Sequence, residues 1–136
     1  MQRALLARFD VDPDAAADVT LSPSGLLYVN TMLGHAARGP LGPALAAVLA
    51  CAWIYWEVGR ELLRRGSPDP RYQTWLEAYA DPGYADSVRA LLALADRVGE
   101  RAGAAERERM AAVFVEGARL EWLFWDAAWR DERWPV

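Results

Sequence analysis

Lysine is absent from the 136-residue chain, and there is a single cysteine, Cys51, and a single histidine, His35. One cysteine excludes an intramolecular disulfide and any multi-cysteine metal site, and it suits a reducing compartment. One histidine leaves too few soft ligands for a zinc centre, and it argues against a di-iron carboxylate site, which draws on several carboxylates and histidines at helical spacing. A basic face is lacking too. All 15 cationic residues are arginine, and against 19 acidic ones they leave a net charge of −4, so there is no electrostatic footprint for nucleic acid or an anionic membrane. Long apolar runs are scarce. The longest uncharged one, Ala44 to Trp56, has 13 residues, which suits a buried core helix better than a span of about 20. The N-terminal stretch is broken by Arg3, Arg8, Asp10 and Asp12 and is no secretory signal. The composition predicts a cytoplasmic, water-soluble protein without a membrane partner.

What is present is helix punctuation. Hydrophobic residues make up 54% and charged residues 25%, a globular balance at the size of one domain. No segment alternates with the period of two that marks a half-buried strand. Gln2 to Phe9 reads as a short helical piece, followed by an Asp- and Ala-rich stretch, so that residues 1–21 read as linker-like. Ser22-Pro23 is an N-cap with proline at the first helical position and opens a helix to about Arg38. A second helix is predicted from about Pro43 to Arg65, stopped by Gly66. Asp69-Pro70 and Asp81-Pro82 start two more, the second fading over Gly99 to Gly103. The last runs from about Ala105 to Trp129. The expectation is a single all-α domain over residues 1–136.

Three features carry chemistry. On the last helix Met110, Phe114, Ala118, Glu121, Trp125 and Ala128 share one stripe, five apolar positions and one carboxylate. A carboxylate in apolar surroundings holds its proton more tightly, which is how a general acid/base is prepared for neutral pH. A buried Glu121 paired to an arginine, with Arg60 and Arg119 as candidates, is the structural alternative. Cys51 sits in the most apolar helix with Tyr55 four residues on; it is either an inert small hydrophobe or a nucleophile assisted by a carboxylate and tyrosine hydroxyls. The 11% aromatic content includes Tyr28, Trp53, Tyr55, Trp56, Tyr72, Trp75 and Tyr79, a pattern that serves a core or a stacked flat heteroaromatic ligand. Gly59 inside a helix costs about 1 kcal/mol against alanine, so a close neighbour is expected there.

The string from Cys51 through Trp53, Tyr55 and Glu57 to Gly59, the helix carrying Tyr72, Trp75 and Tyr79, and the C-terminal run Phe114, Glu121, Phe124, Trp125, Asp126 and Trp134 together resemble the thiaminase II (TenA-type) family. The resemblance implies a haem-oxygenase-like helical bundle, here lacking the family's N-terminal helices. It implies Cys51 as nucleophile, Glu121 as proton donor and acceptor, and Tyr28, Tyr55, Tyr79 and Phe124 as residues that orient and stack an aminopyrimidine. The implied reaction is hydrolysis of 4-amino-5-aminomethyl-2-methylpyrimidine, or of thiamin, to the hydroxymethylpyrimidine of thiamin salvage, with no metal or redox cofactor. Ala50 stands where the family has proline, and no aspartate in Met1 to Thr20 matches the one that holds the pyrimidine's amino edge. A bundle short of helices leaves apolar faces uncovered. The chain is therefore expected to self-associate or to meet a separate N-terminal half, and a module that binds a pyrimidine or a partner chain without turnover is the alternative function.

Overall fold

A computed structural model describes residues 2–136 of the chain. Its elements are α1 (Gln2–Arg8), α2 (Pro13–Ala17), α3 (Pro23–Arg38), α4 (Leu41–Arg65), α5 (Pro70–Ala80), α6 (Pro82–Arg101) and α7 (Ala104–Trp129). Among the described residues there is no strand.

The predicted punctuation is where the helices begin and end. Ser22 is extended, and its Oγ accepts from the Gly25 amide at 3.1 Å, closing the N-terminus of α3. Gly66, at φ +74°, takes the left-handed conformation that ends α4. Asp69 caps α5 through the Arg71 amide. Two boundaries differ from expectation. Helix α4 begins at Leu41 rather than Pro43, because amides in a helix's first turn have no intrahelical partner and a proline there sacrifices nothing. Helix α2 lies within the Asp- and Ala-rich stretch and is capped by Asp12. By length and composition alone α4 also meets the minimum for a membrane span, with a mean hydropathy of 1.5 over 18 residues, a test that core helices of water-soluble proteins pass as well.

The chain forms two compact units, with boundaries inside α4 and α6. The first comprises the segment up to Thr20 and Tyr55–Asp86. The Phe9 ring lies 4.9 Å from that of Tyr72, the Arg71 guanidinium covers Phe9, and Arg8 donates to Thr74. An aromatic cluster joins Tyr55, Trp75, Tyr79 and Tyr84, with Trp75 and Tyr79 4.8 Å apart. Gly59 has the close neighbour expected of it: a Cβ there would stand 2.6 Å from the Cβ of Tyr79.

The second unit comprises Leu21–Ile54 and Ser87–Val136. Ala46 and Ala47 of α4 meet Val113 of α7 in its core, with Met32, Met110 and Phe114 packed around them. Helix α3 lies along α7. The buried positions of α7 are Val113, Gly117, Leu120, Glu121 and Ala127, so its inward stripe is turned from the one read in the sequence. Trp125 is half exposed and Ala128 exposed. Bulk misleads here: α4 approaches α7 so closely that a small residue is required at the contact. A Cβ on Gly117 would stand 2.7 Å from the Cβ of Ala50, a residue with no exposed surface.

Candidate active site

The Ala50–Gly117 contact fixes the site. Cys51 follows Ala50 on α4, and Glu121 lies one turn beyond Gly117 on α7. From the other side α3 brings Tyr28, which is buried, and its hydroxyl donates a short hydrogen bond to Oε1 of Glu121. Glu121 is 2% exposed and is the buried charged side chain of the described core. Its other oxygen, Oε2, is buried with no hydrogen-bond partner among the described residues.

Three acids thus meet between α3, α4 and α7 in the second unit. Burial pushes the Glu121 carboxyl above the usual carboxylate range, a shift opposed by hydrogen bonding from Tyr28. Burial, and then the negative charge of Glu121, pushes the Cys51 thiol up to about 12, while the Tyr28 hydroxyl acts the other way. Burial and its bond to Glu121 hold Tyr28 firmly protonated. The thiol and the carboxyl act on each other through both charge and hydrogen bonding, while Oε2 of Glu121 has no partner among the described residues.

The arginine partner considered for Glu121 is not the one it has. Arg60 pairs with Glu57 at 3.4 Å and lies over Trp56 in the first unit, and Arg119 is exposed. Tyr28 takes that place, because a phenol satisfies one carboxyl oxygen without requiring a second buried charge. The remaining residues singled out in the sequence are placed as follows. Phe124 is three residues beyond Glu121 on α7, partly exposed, with its ring edge-on to Trp125 at 5.9 Å. Tyr55 and Tyr79 belong to the first unit, with their rings 4.9 Å apart. His35 is on α3, paired with Glu116 at 3.1 Å. Gly117 escaped sequence reasoning, although the argument applied to Gly59, an interior helical glycine kept at a cost of about 1 kcal/mol, would have found it.

Comparison with known proteins puts this geometry in context. The TENA/THI-4/PQQC family model matches residues 3–131. The aminopyrimidine aminohydrolase of Halalkalibacterium halodurans is 29% identical, over 98% of this chain and 61% of that protein. That of Bacillus subtilis is 32% identical over 83% of this chain and 48% of its own length. Among solved structures, the TenA homologue from P. horikoshii OT3 superposes with a TM-score of 0.83 at 28% identity, over 93% of this chain and 59% of the other. A TenA-like thiaminase from Sulfolobus solfataricus gives 0.84 at 24% identity, over 97% of this chain and 59% of the other, and shares the fold. The chain therefore spans about half to three-fifths of the length of these relatives. The all-helical architecture is the haem-oxygenase-like fold of those structures. The chain belongs to the TENA/THI-4/PQQC family.

Proposed function

We propose that this chain is a TenA-type hydrolase of thiamin salvage, cleaving 4-amino-5-aminomethyl-2-methylpyrimidine with water to hydroxymethylpyrimidine and ammonia. Support comes from relatives named aminopyrimidine aminohydrolase. The observation that carries the reading is the buried carboxyl of Glu121, held by Tyr28 on one oxygen and unpartnered on the other, beside the Cys51 thiol.

In this reading Cys51 gives its proton to Glu121, and the thiolate adds to a carbon of the electron-poor ring. Glu121 passes a proton to a ring nitrogen, so the charge pushed into the ring is neutralised as it develops. The aminomethyl nitrogen leaves as ammonia, water adds at the methylene, the ring proton returns, and the Cys51–carbon bond breaks. Tyr28 keeps Oε1 of Glu121 fixed throughout, so that Oε2 exchanges the proton. Phe124, one turn beyond Glu121, supplies an aromatic face for the pyrimidine.

Association belongs to the same proposal. Val115, Trp122 and Trp129 recur every seven residues on the outer face of α7, with Trp122 65% and Trp129 89% exposed. Such a stripe supports burial against another copy or a partner chain.

The test is release of hydroxymethylpyrimidine from the aminomethylpyrimidine and from thiamin by the purified chain. Turnover should be lost in Cys51→Ser and Glu121→Gln. Binding of the pyrimidine by the wild-type chain with no product from either substrate would refute the hydrolase and leave a binding module.

A further inference from the structure

The chain beyond α7 does more than end. Asp131 stands in the left-handed region at φ 50°, a conformation aspartate tolerates better than most residues. Its amide donates to the Ala128 carbonyl at 3.3 Å, and the Glu132 amide reaches back to Ala127 at 2.9 Å. This pair of bonds is the helix-terminating arrangement usually built on glycine. Arg133 then closes on Asp131 at 2.8 Å. The turn aims Glu132 and Trp134 back at the N-terminus of α3.

There the contact is two-pronged. Oε2 of Glu132 accepts from the Ser24 amide at 2.8 Å, and Oε1 accepts from the Ser24 hydroxyl at 3.0 Å. Two residues further along this strap, the segment 130–136 that follows α7, the Trp134 indole donates to the Leu21 carbonyl at 2.9 Å. The Ser24 amide is among the donors that a helix's first turn leaves open, and a carboxylate there is favoured by the helix dipole as well. Ser24 and Tyr28 are one turn apart on the same face of α3. Glu121 and Glu132 are 11 positions apart along the chain that forms α7 and its terminal turn, close to three helical turns. The strap therefore ties α3 to the turn after α7, one turn from Tyr28 along α3 and close to three turns from Glu121 along the other chain segment.

We propose that Glu132 is a positioning residue: by clamping Ser24 it sets how far α3 lies along α7, and so holds the Tyr28 hydroxyl on Glu121 beside Cys51. This rests on the reading of Tyr28, Cys51 and Glu121 as the reacting group. Without the clamp, the segment after α7 holds the start of α3 by the single Trp134–Leu21 hydrogen bond, and a displacement of about 1 Å is enough to break a hydrogen bond of normal length. Glutamine at 132 keeps an acceptor for the amide and loses the charge; alanine removes both prongs.

Cys51 is the only thiol in the chain, so alkylation by iodoacetamide, followed by mass at pH 8.5, reports the site without any substrate. The Tyr28 hydroxyl, held on Glu121 beside the thiol, favours the thiolate, so Tyr28→Phe should slow alkylation by about three- to tenfold. Glu132→Ala should slow it to the same extent, Glu132→Gln less, and Glu132→Ala in the Tyr28→Phe background no further. Ser24→Ala, a milder loss of one prong, should fall with Glu132→Gln and carries the test if Glu132→Ala fails to fold. If the Glu132 and Ser24 variants lower the melting temperature but alkylate at the wild-type rate, or slow the reaction again in the Tyr28→Phe background, Glu132 is a helix cap and nothing more. Turnover separates this from the proposed function. Absence of product with the expected alkylation pattern overturns the hydrolase alone, whereas product formation with Glu132-insensitive alkylation overturns the positioning role alone.

Discussion

Replacing Gly117 with alanine tests whether one methyl-sized contact sets the distance between the two chemical groups. The added Cβ would stand 2.7 Å from the Cβ of Ala50, whereas carbons settle at about 3.5–4.0 Å, so α7 and α4 must part by about 1 Å. Overpacking of this kind costs about 1–3 kcal/mol, against a gain of about 1 kcal/mol for alanine over glycine inside a helix. The net expectation for Gly117→Ala is a loss of about 1 kcal/mol. Ala50→Gly alone loses about 2 kcal/mol, from helix propensity and one buried methyl. The double variant exchanges the methyl across the interface and should return near wild type, a coupling of about 3 kcal/mol between the sites. Urea unfolding of the four proteins measures it. Because Cys51 and Glu121 flank the contact, Gly117→Ala should also lose turnover, and the double variant should recover part of it. A Gly117→Ala protein more stable than wild type by about 1 kcal/mol, with additive energies in the double variant, would mean that the helices do not meet there.

Other outcomes follow from the same geometry. With its carboxyl pKa raised by burial, Glu121 contributes stability that is fully present below the ordinary carboxylate value and is lost as pH rises through the folded value. Glu121→Gln should therefore flatten the fall in urea stability between pH 4.5 and 8, and a wild-type protein with no such fall relative to the variant would contradict a buried, proton-holding carboxyl. With its thiol pushed up to about 12, Cys51 in the resting protein should alkylate at pH 8 about a thousandfold more slowly than an ordinary cysteine, since only the thiolate reacts; a rate near that of free cysteine refutes the burial. Trp122→Ser with Trp129→Ser should shift sedimentation toward a smaller species, and a wild-type protein already monomeric at high concentration removes the case for association.

The helices were legible because their ends are written in local chemistry. Ser22-Pro23, Asp69-Pro70 and Gly66 act through their own backbone neighbours, so no tertiary knowledge is needed to place them. The inward face of α7 was not legible to the same degree. Periodicity weighted by side-chain bulk favours Trp125 and Ala128, while the fold buries Gly117 and Leu120, because what α7 meets is the alanine-lined surface of α4. Of the site residues, Cys51, Glu121 and Tyr28 could be named, but the bond between Tyr28 and Glu121 joins positions 93 residues apart, and nothing local announces it. An arginine looked the natural partner for a buried glutamate; that α3 brings a phenol to that oxygen is a tertiary fact. The Glu132–Ser24 clamp, spanning 108 residues, is beyond sequence reasoning for the same reason.

The three acids also constrain how the proposed chemistry starts. Among the described residues no cation bears on Tyr28, Cys51 or Glu121, so each negative charge placed among them beyond the first opposes both burial and its neighbours. The ionised carboxylate with a neutral thiol and the neutral carboxyl with a thiolate carry the same total charge. A proton moving from Cys51 to Glu121 thus buries no additional charge, and its cost is set by the difference between two raised pKa values rather than by either alone. A solvent base would have to leave two negative charges behind. On the proposed reading the substrate narrows that difference further, since an aminomethylpyrimidine enters with a protonated amine whose charge favours the thiolate. Glu121→Gln should then leave Cys51 no internal acceptor for its proton, so that a bound pyrimidine forms no adduct even at saturating concentration. Detection by mass of a Cys51–pyrimidine adduct in that variant would show that the proton leaves by another route.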